Sequence, residues 1–242
     1  MDCQPNIIKQ VYKWLLFDQT CWLCEEPSHG DLPLCHGCED DLPWLLSHCP
    51  CCAEPLASAQ LCRHCQQRRP HFATVISPLR YAFPVDSLLQ RFKADQQTHY
   101  GRLLSHLLAR HLQHAYAEGL ARPDLLLPVP QANTRLRQRG FNQAQWLCRW
   151  LSATLELPWQ RRWLHDNGQH QSQKKLSARA RARNLRAAFS LTEHAKPGGL
   201  HIALVDDIVT TGSTANALAA LLLSAGAAQV DVYCVARTAK IP

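Results

Sequence analysis

The sequence predicts an α/β protein, a parallel sheet flanked by helices behind a small cysteine-rich module, and three observations predict it. Short continuous apolar runs, at 125–127 and 202–205, suit strands buried on both faces. Amphipathic stretches of helical spacing alternate with such runs through residues 74–237, as strand–helix–strand crossovers require. Ten of the twelve cysteines precede residue 66, so composition changes sharply there. The expected organisation is therefore 1–68, an N-terminal helix and cysteine module, and 69–242, the α/β domain. A chain of 242 residues holds one ordinary α/β domain plus a small module.

The N-terminal stretch carries Ile7, Val11, Trp14, Leu15 and Phe17 at helical spacing, interrupted by Lys9, Gln10 and Lys13. It is too short and too broken for a membrane span and lacks a small-residue cleavage site, so a short amphipathic helix and a cytoplasmic location are expected. The net charge of +7 is concentrated in two clusters. One is Arg135, Arg137 and Arg139; the other runs through Arg161, Arg162, Lys174, Lys175, Arg179, Arg181, Arg183 and Arg186. Pyrophosphate, nucleic acid and solvent are all suitable surroundings for such clusters.

Four CxxC pairs fill the module: Cys21/Cys24, Cys35/Cys38, Cys49/Cys52 and Cys62/Cys65. Each pair presents two thiolates to one tetrahedral ion, so eight ligands imply two structural zinc sites. Metal is favoured over disulfides because no export signal accompanies the cysteines. Sequential pairing is expected, with an interleaved arrangement open. Cys51, His36, His48 and His64 stand among the ligands as spectators of the regular spacing. With few apolar residues between the pairs, metal would replace a core.

In the larger domain, residues 74–81 read as a strand and 84–92 as a helix burying Val85, Leu88, Leu89 and Phe92, with Lys93 at its carboxyl end. A second helix over 100–116 is apolar at Leu103, Leu104, Leu107, Leu108 and Leu112. The strand at 124–129 stops at Pro128 and Pro130. A basic loop follows, Arg135-Leu-Arg-Gln-Arg-Gly-Phe-Asn142, and then a helix over 143–155. Three arginines between a strand's carboxyl end and a helix N-terminus form an anion-binding candidate where open α/β sheets place ligands. Residues 173–184 are polar, basic and helix-competent, suited to a lid over a charged ligand or to nucleic acid phosphates. Residues 188–191 are strand-like, a last helix ends at Gly226, and 230–235 is the final strand.

The most informative stretch is 202–214. Its apolar run leads into Asp206 and Asp207, and Thr210-Thr211-Gly212-Ser213-Thr214 then opens an Ala/Leu-rich helix. First-turn N–H groups, the helix dipole and four hydroxyls suit a phosphate monoester, and Gly212 allows close approach of backbone. The carboxylates repel phosphate but accept from vicinal sugar hydroxyls, with a divalent ion nearby. Together these describe a pocket for a ribose 5-phosphate. The loop does not match the Walker pattern G-x4-G-K-[ST], because it has one glycine and no lysine.

The string of apolar run, two acids and Thr-Thr-Gly-x-Thr resembles the phosphoribosyl pyrophosphate (PRPP) motif of type I phosphoribosyltransferases. In chain order, the four CxxC pairs, Phe92-Lys93, Arg139-Gly-Phe-Asn-Gln143, the Gln173/Leu176/Arg181/Asn184 pattern and the PRPP motif are together similar to the ComF/GntX family. The resemblance implies a type I phosphoribosyltransferase fold behind a double zinc ribbon. It further implies a role in competence or in the use of external DNA, with single-stranded DNA or uptake proteins as partners. Carried over residue by residue, Asp206 and Asp207 hold the ribose hydroxyls and any catalytic role, and Thr210, Thr211, Gly212, Ser213 and Thr214 hold the 5-phosphate. Lys93, Arg135, Arg137 and Arg139 meet pyrophosphate, Mg2+ accompanies PRPP, and Gln173, Arg181 and Asn184 belong to the lid. Neither a dedicated general base nor a base-binding pocket is recognisable, so the resemblance names no acceptor. A non-catalytic module for single-stranded DNA or the uptake machinery is the alternative.

Overall fold

A computed structural model describes residues 19–28, 30, 32–94, 97–168 and 188–239, without the side chains of Gln19 and Arg135. The N-terminal amphipathic stretch and the lid residues Gln173, Arg181 and Asn184 lie outside the described residues. The chain divides into two compact units, Met1–Leu42 and Pro43–Pro242.

The smaller unit contains an antiparallel pair, β1 (Gln19–Thr20) with β2 (Pro27–Ser28), and a short helix α1 (His36–Asp40). The larger unit opens with a second cysteine-rich turn and the short helix α2 (Arg63–Gln67). Two-residue strands β3 (Val75–Ile76) and β4 (Leu79–Arg80) follow, then helices α3 (Val85–Ala94) and α4 (Thr98–Ala117). Next come β5 (Leu125–Pro128), α5 (Asn133–Arg139), α6 (Gln143–Leu155), β6 (Leu164–Asp166), β7 (Phe189–Leu191), β8 (His201–Val209), α7 (Ser213–Ser224) and β9 (Gln229–Arg237).

The main sheet runs β3–β9–β8–β5 with β4 also on β9, and every pairing in it is parallel. This is the expected parallel sheet flanked by helices. Val205 pairs with Pro128 on one side and Tyr233 on the other, which fixes β8 between its neighbours. Alternation along the strand sends Ile202 and Leu204 to one face and Ala203 and Val205 to the other, and all four are buried. On the first face they join Leu125, Leu127, Val230 and Val232, covered by Leu218 and Leu222 of α7. The same cluster includes Cys49, Cys52, Cys62 and Cys65, so the second cysteine turn packs into the core of the sheet's own unit.

The expected strand at 74–81 divides in two at Ser77-Pro78. Proline cannot donate to a ladder, and residues 43–45 fill the gap: Leu45 N donates to Pro78 O at 2.8 Å and Arg80 N to Pro43 O at 2.8 Å. The basic stretch expected as a loop is the helix α5, ended by Gly140 in the left-handed region at φ 76°. The helices at 85–94 and 98–117 bury the apolar stripes expected of them.

Gly101 of α4 is fixed by packing. A Cβ there would lie 2.4 Å from the ring of Phe92. That fully buried ring stands 5.8 Å from Phe141 and 6.0 Å from Trp150, measured between centroids. Gly101→Ala is therefore expected to lose about 1–3 kcal/mol, the usual cost of overpacking. Urea unfolding followed by tryptophan fluorescence reads it; an unchanged midpoint contradicts the packing argument.

Candidate functional site

The two cysteine turns have the same local construction. In the first, Cys21 N donates to Glu26 O at 2.7 Å and Glu25 N to Cys21 O at 2.9 Å; in the second, Cys49 N donates to Glu54 O at 2.9 Å and Ala53 N to Cys49 O at 2.9 Å. The residue after each second cysteine, Glu25 or Ala53, adopts positive φ. Cys35 and Cys62 then cap α1 and α2, their sulfurs accepting from Cys38 N and Cys65 N at 3.5 Å. Two clusters result, Cys21/Cys24/Cys35/Cys38 and Cys49/Cys52/Cys62/Cys65, each with its sulfurs within 4.8 Å of one another. The pairing is sequential.

These sites fit zinc. Cys24 Sγ and Cys35 Sγ are 3.6 Å apart, as are Cys52 Sγ and Cys62 Sγ. Tetrahedral Zn–S bonds of about 2.3 Å place sulfurs about 3.8 Å apart. Burial, then neighbouring thiols, push Cys65 and Cys38 upward, and burial likewise takes Cys52 to about 11. Burial also acts against Cys49, yet backbone N–H groups of Cys62, Cys52 and Cys51 outweigh it and lower this thiol to about 7. Four crowded thiols cannot all ionise alone, and a dication relieves that conflict.

At the carboxyl end of the sheet, β8 extends beyond its apolar run and carries Asp206 and Asp207 within the strand. Asp206 Oδ1 accepts from Asp207 N at 2.9 Å, and Asp207 Oδ1 from Ile208 N at 2.9 Å. Burial first, and the adjacent Asp207 carboxylate second, push Asp206 well above the ordinary carboxylate range; Lys93 opposes this without cancelling it. Lys93 Nζ lies 2.5 Å from Asp207 Oδ2. The lysine therefore meets the acidic pair directly. Its position follows from Phe92, whose contact with Phe141 joins Phe92-Lys93 to the Arg139-Gly-Phe-Asn-Gln143 string.

The hydroxyl loop follows β8. Gly212 has φ +74° and, lacking a side chain, offers α7 no cap, which leaves first-turn N–H groups beyond that of Ser213 for a ligand. Thr210, Thr211 and Ser213 are exposed, and Thr214 is half-buried. Thr211 Oγ1 lies 2.8 Å from Ser213 Oγ and accepts from Ser213 N at 3.3 Å, which draws the hydroxyls into one turn.

Beside β8, Asn142 caps α6 by accepting from Ala144 N at 2.9 Å and donates to Val129 O at 3.0 Å. Arg137 is exposed on α5, and Arg139 is half-buried. In the orientation of Gln131 that satisfies its neighbours, Arg139 Nη1 donates to the Gln131 amide oxygen at 3.3 Å. Gln143, buried at the start of α6, holds an Nε2 with no partner among the described residues. Sequence reasoning quoted Gln143 within the Arg139-Gly-Phe-Asn-Gln143 string without a role of its own, and missed Glu54 and Arg237. For Glu54 and Arg237 the signals were a charge two residues after a CxxC pair and a charge ending an apolar strand.

Comparison with known proteins adds the following. Residues 13–66 match the double zinc ribbon domain. The DNA utilization protein YhgH of Escherichia coli is 37% identical over 221 residues, 90% of this chain and 96% of that protein. Competence protein F of Haemophilus influenzae is 33% identical over 225 residues, 91% and 98% of the two chains. Among solved structures, an adenine phosphoribosyltransferase is 17% identical over 60% of this chain and 73% of that one, with a TM-score of 0.38. Among the described residues no helix is long and apolar enough to cross a membrane.

Two outcomes test the site. Purified protein is expected to carry two zinc ions by elemental analysis. Cys49→Ser is expected to lose one and destabilise the larger unit, since its cluster lies in that unit's core. Metal-free protein with an unchanged melt contradicts this. The second outcome concerns Asp206, whose carboxyl is raised in the folded chain. Such a group supports the fold below the ordinary carboxylate pKa and loses that support as pH rises through the raised value. Asp206→Asn is therefore expected to melt higher than the parent at neutral pH, the difference closing below about pH 4. A lower melt for Asp206→Asn at pH 7 refutes it.

Proposed function

The chain belongs to the ComF family of competence and DNA-utilisation proteins, with YhgH and competence protein F, and on that premise we propose that its larger unit binds PRPP with magnesium in the cytoplasmic uptake or use of external DNA. The reading is carried by one conjunction: an uncapped helix start behind Gly212, lined with hydroxyls, directly follows a strand bearing two carboxylates.

In this reading the N–H groups at the start of α7 and the hydroxyls of Thr210, Thr211, Ser213 and Thr214 receive the 5-phosphate. Asp206 and Asp207 accept from the ribose hydroxyls. As hard oxygen donors they also suit magnesium, which would supply charge neutralisation for the pyrophosphate. Lys93 neutralises Asp207 in the free protein; engagement of that carboxylate by the ligand frees the ammonium for the pyrophosphate. Arg135, Arg137 and Arg139 offer further cations, and Gln173, Arg181 and Asn184 close the site against water. Transfer, where it occurs, breaks the bond from the anomeric carbon to pyrophosphate and forms one to a nitrogen nucleophile. The basic groups then stabilise the leaving charge. The basic residues Lys174, Lys175, Arg179, Arg181, Arg183 and Arg186 favour single-stranded DNA as a second ligand.

Mg-PRPP at about 100 times its Kd is expected to stabilise the chain by about 2.7 kcal/mol in thermal melts. Asp206→Asn/Asp207→Asn is expected to abolish the shift. Gly212→Ala is expected to weaken it by straining a left-handed position by about 1–2 kcal/mol. A wild-type melt unmoved by Mg-PRPP contradicts the proposal. Pyrophosphate release across a panel of nucleobases and amines separates enzyme from binder.

A further inference from the structure

Arg237, the last residue of β9, is completely buried. Its guanidinium gathers acceptors from distant parts of the chain. Nε donates to Cys52 O at 2.8 Å, and Nη2 to Glu54 Oε2 at 2.9 Å. Nη1 serves the carbonyls of Val209 at 3.1 Å, Thr210, and Thr238 at 2.6 Å. Cys52 and Glu54 belong to the second cysteine turn, whereas Val209 and Thr210 are where β8 enters the hydroxyl loop.

This geometry has a direct consequence for the loop. In a trans peptide the carbonyl and the following N–H point in opposite directions across one plane. Holding Val209 O and Thr210 O toward the guanidinium therefore aims the N–H groups of Thr210 and Thr211 away from it. Val209 O is held twice, because Thr238 N also donates to it at 3.1 Å. Only a planar fork with five N–H donors can serve acceptors spread so widely. Glu54 neutralises the buried charge and fixes the plane of the fork, and the carbonyl of a metal-ligand residue fixes its Nε edge.

We propose that Arg237 is a positioning residue for the hydroxyl loop, and that the second cysteine turn, through Glu54 and the Cys52 carbonyl, sets that loop's geometry. The metal-held turn is then part of the apparatus that presents donors to the 5-phosphate. This rests on the ribose 5-phosphate reading of the loop, and the test separates the two.

The full zinc-loaded chain is compared with Arg237→Lys, which keeps the charge and loses the fork, and with Glu54→Gln, which keeps the shape and loses the charge pair. Amide hydrogen exchange is followed over 207–215, and calorimetry measures Mg-PRPP, ribose 5-phosphate and pyrophosphate. Both variants are expected to retain two zinc ions and to exchange faster in the loop. Affinity for the two 5-phosphate ligands is expected to fall about tenfold, with pyrophosphate affinity little changed, since one misaimed charge-assisted donor set is lost. A purely structural role lowers the melting point but leaves the ratio of ribose 5-phosphate to pyrophosphate affinity unmoved. Unchanged loop exchange, or pyrophosphate affinity falling in step, overturns the proposal. Where wild type binds neither 5-phosphate ligand, the ligand reading fails and exchange alone decides on Arg237: faster exchange upholds it, unchanged exchange overturns it. Should Arg237→Lys fail to fold, Glu54→Gln gives the same decision.

Discussion

The buried pair between Arg237 and Glu54 is the constraint on which the larger unit depends. Both groups are desolvated, Glu54 at 7% and Arg237 at 0% relative exposure. Removing one partner of such a pair strands the other as a buried charge, at a cost of roughly 3–5 kcal/mol. Coulomb attraction between two desolvated charges offsets their desolvation only when the geometry is good and the remaining donors are satisfied. Here the carbonyls of Cys52, Val209, Thr210 and Thr238 supply that satisfaction. Strand end, cysteine turn and hydroxyl loop are thereby held at one point, and the sheet's apolar face continues into the same cluster.

The acidic pair is shaped by an opposing tension. Asp206 is raised by burial and by Asp207, and Lys93, 2.5 Å from Asp207 Oδ2, opposes this only in part. Adjacent carboxylates at the end of a buried strand are unfavourable to one another. In the proposed reading, a polyhydroxyl ligand or a divalent cation relieves them. Lys93 is held in reach because Phe92 is clamped between Gly101, Phe141 and Trp150. The side chain next to a rigid aromatic seat inherits its placement.

Much of this was legible in the sequence, wherever the controlling interactions are local. The CxxC spacing announced two four-cysteine sites, because each turn builds itself through bonds such as Cys49 N to Glu54 O, while the choice of sequential over interleaved pairing came from the fold. The apolar runs gave the parallel strands, and the Thr-Thr-Gly-Ser-Thr string gave a turn into a helix. What escaped was set at long range. Glu54 and Arg237 are 183 residues apart, and nothing near either announces the other. Lys93 reads as a helix-end cation until the fold brings Asp207 to it. The stretch 133–139 has too few apolar residues to announce a helix, and its ending depends on the left-handed Gly140. Composition places a border at 68, while packing joins the second cysteine turn to the sheet, because Cys49 and Cys65 lie in the sheet's core.

The acidic pair and the hydroxyl loop together make up the proposed ribose 5-phosphate site. The most direct measurement is a hydrogen-exchange footprint of the full chain with and without Mg-PRPP. The expected result is slowed exchange centred on 206–214, because the ligand's 5-phosphate takes up the free N–H groups at the start of α7. Protection absent from that segment, or confined to 135–139, contradicts the account.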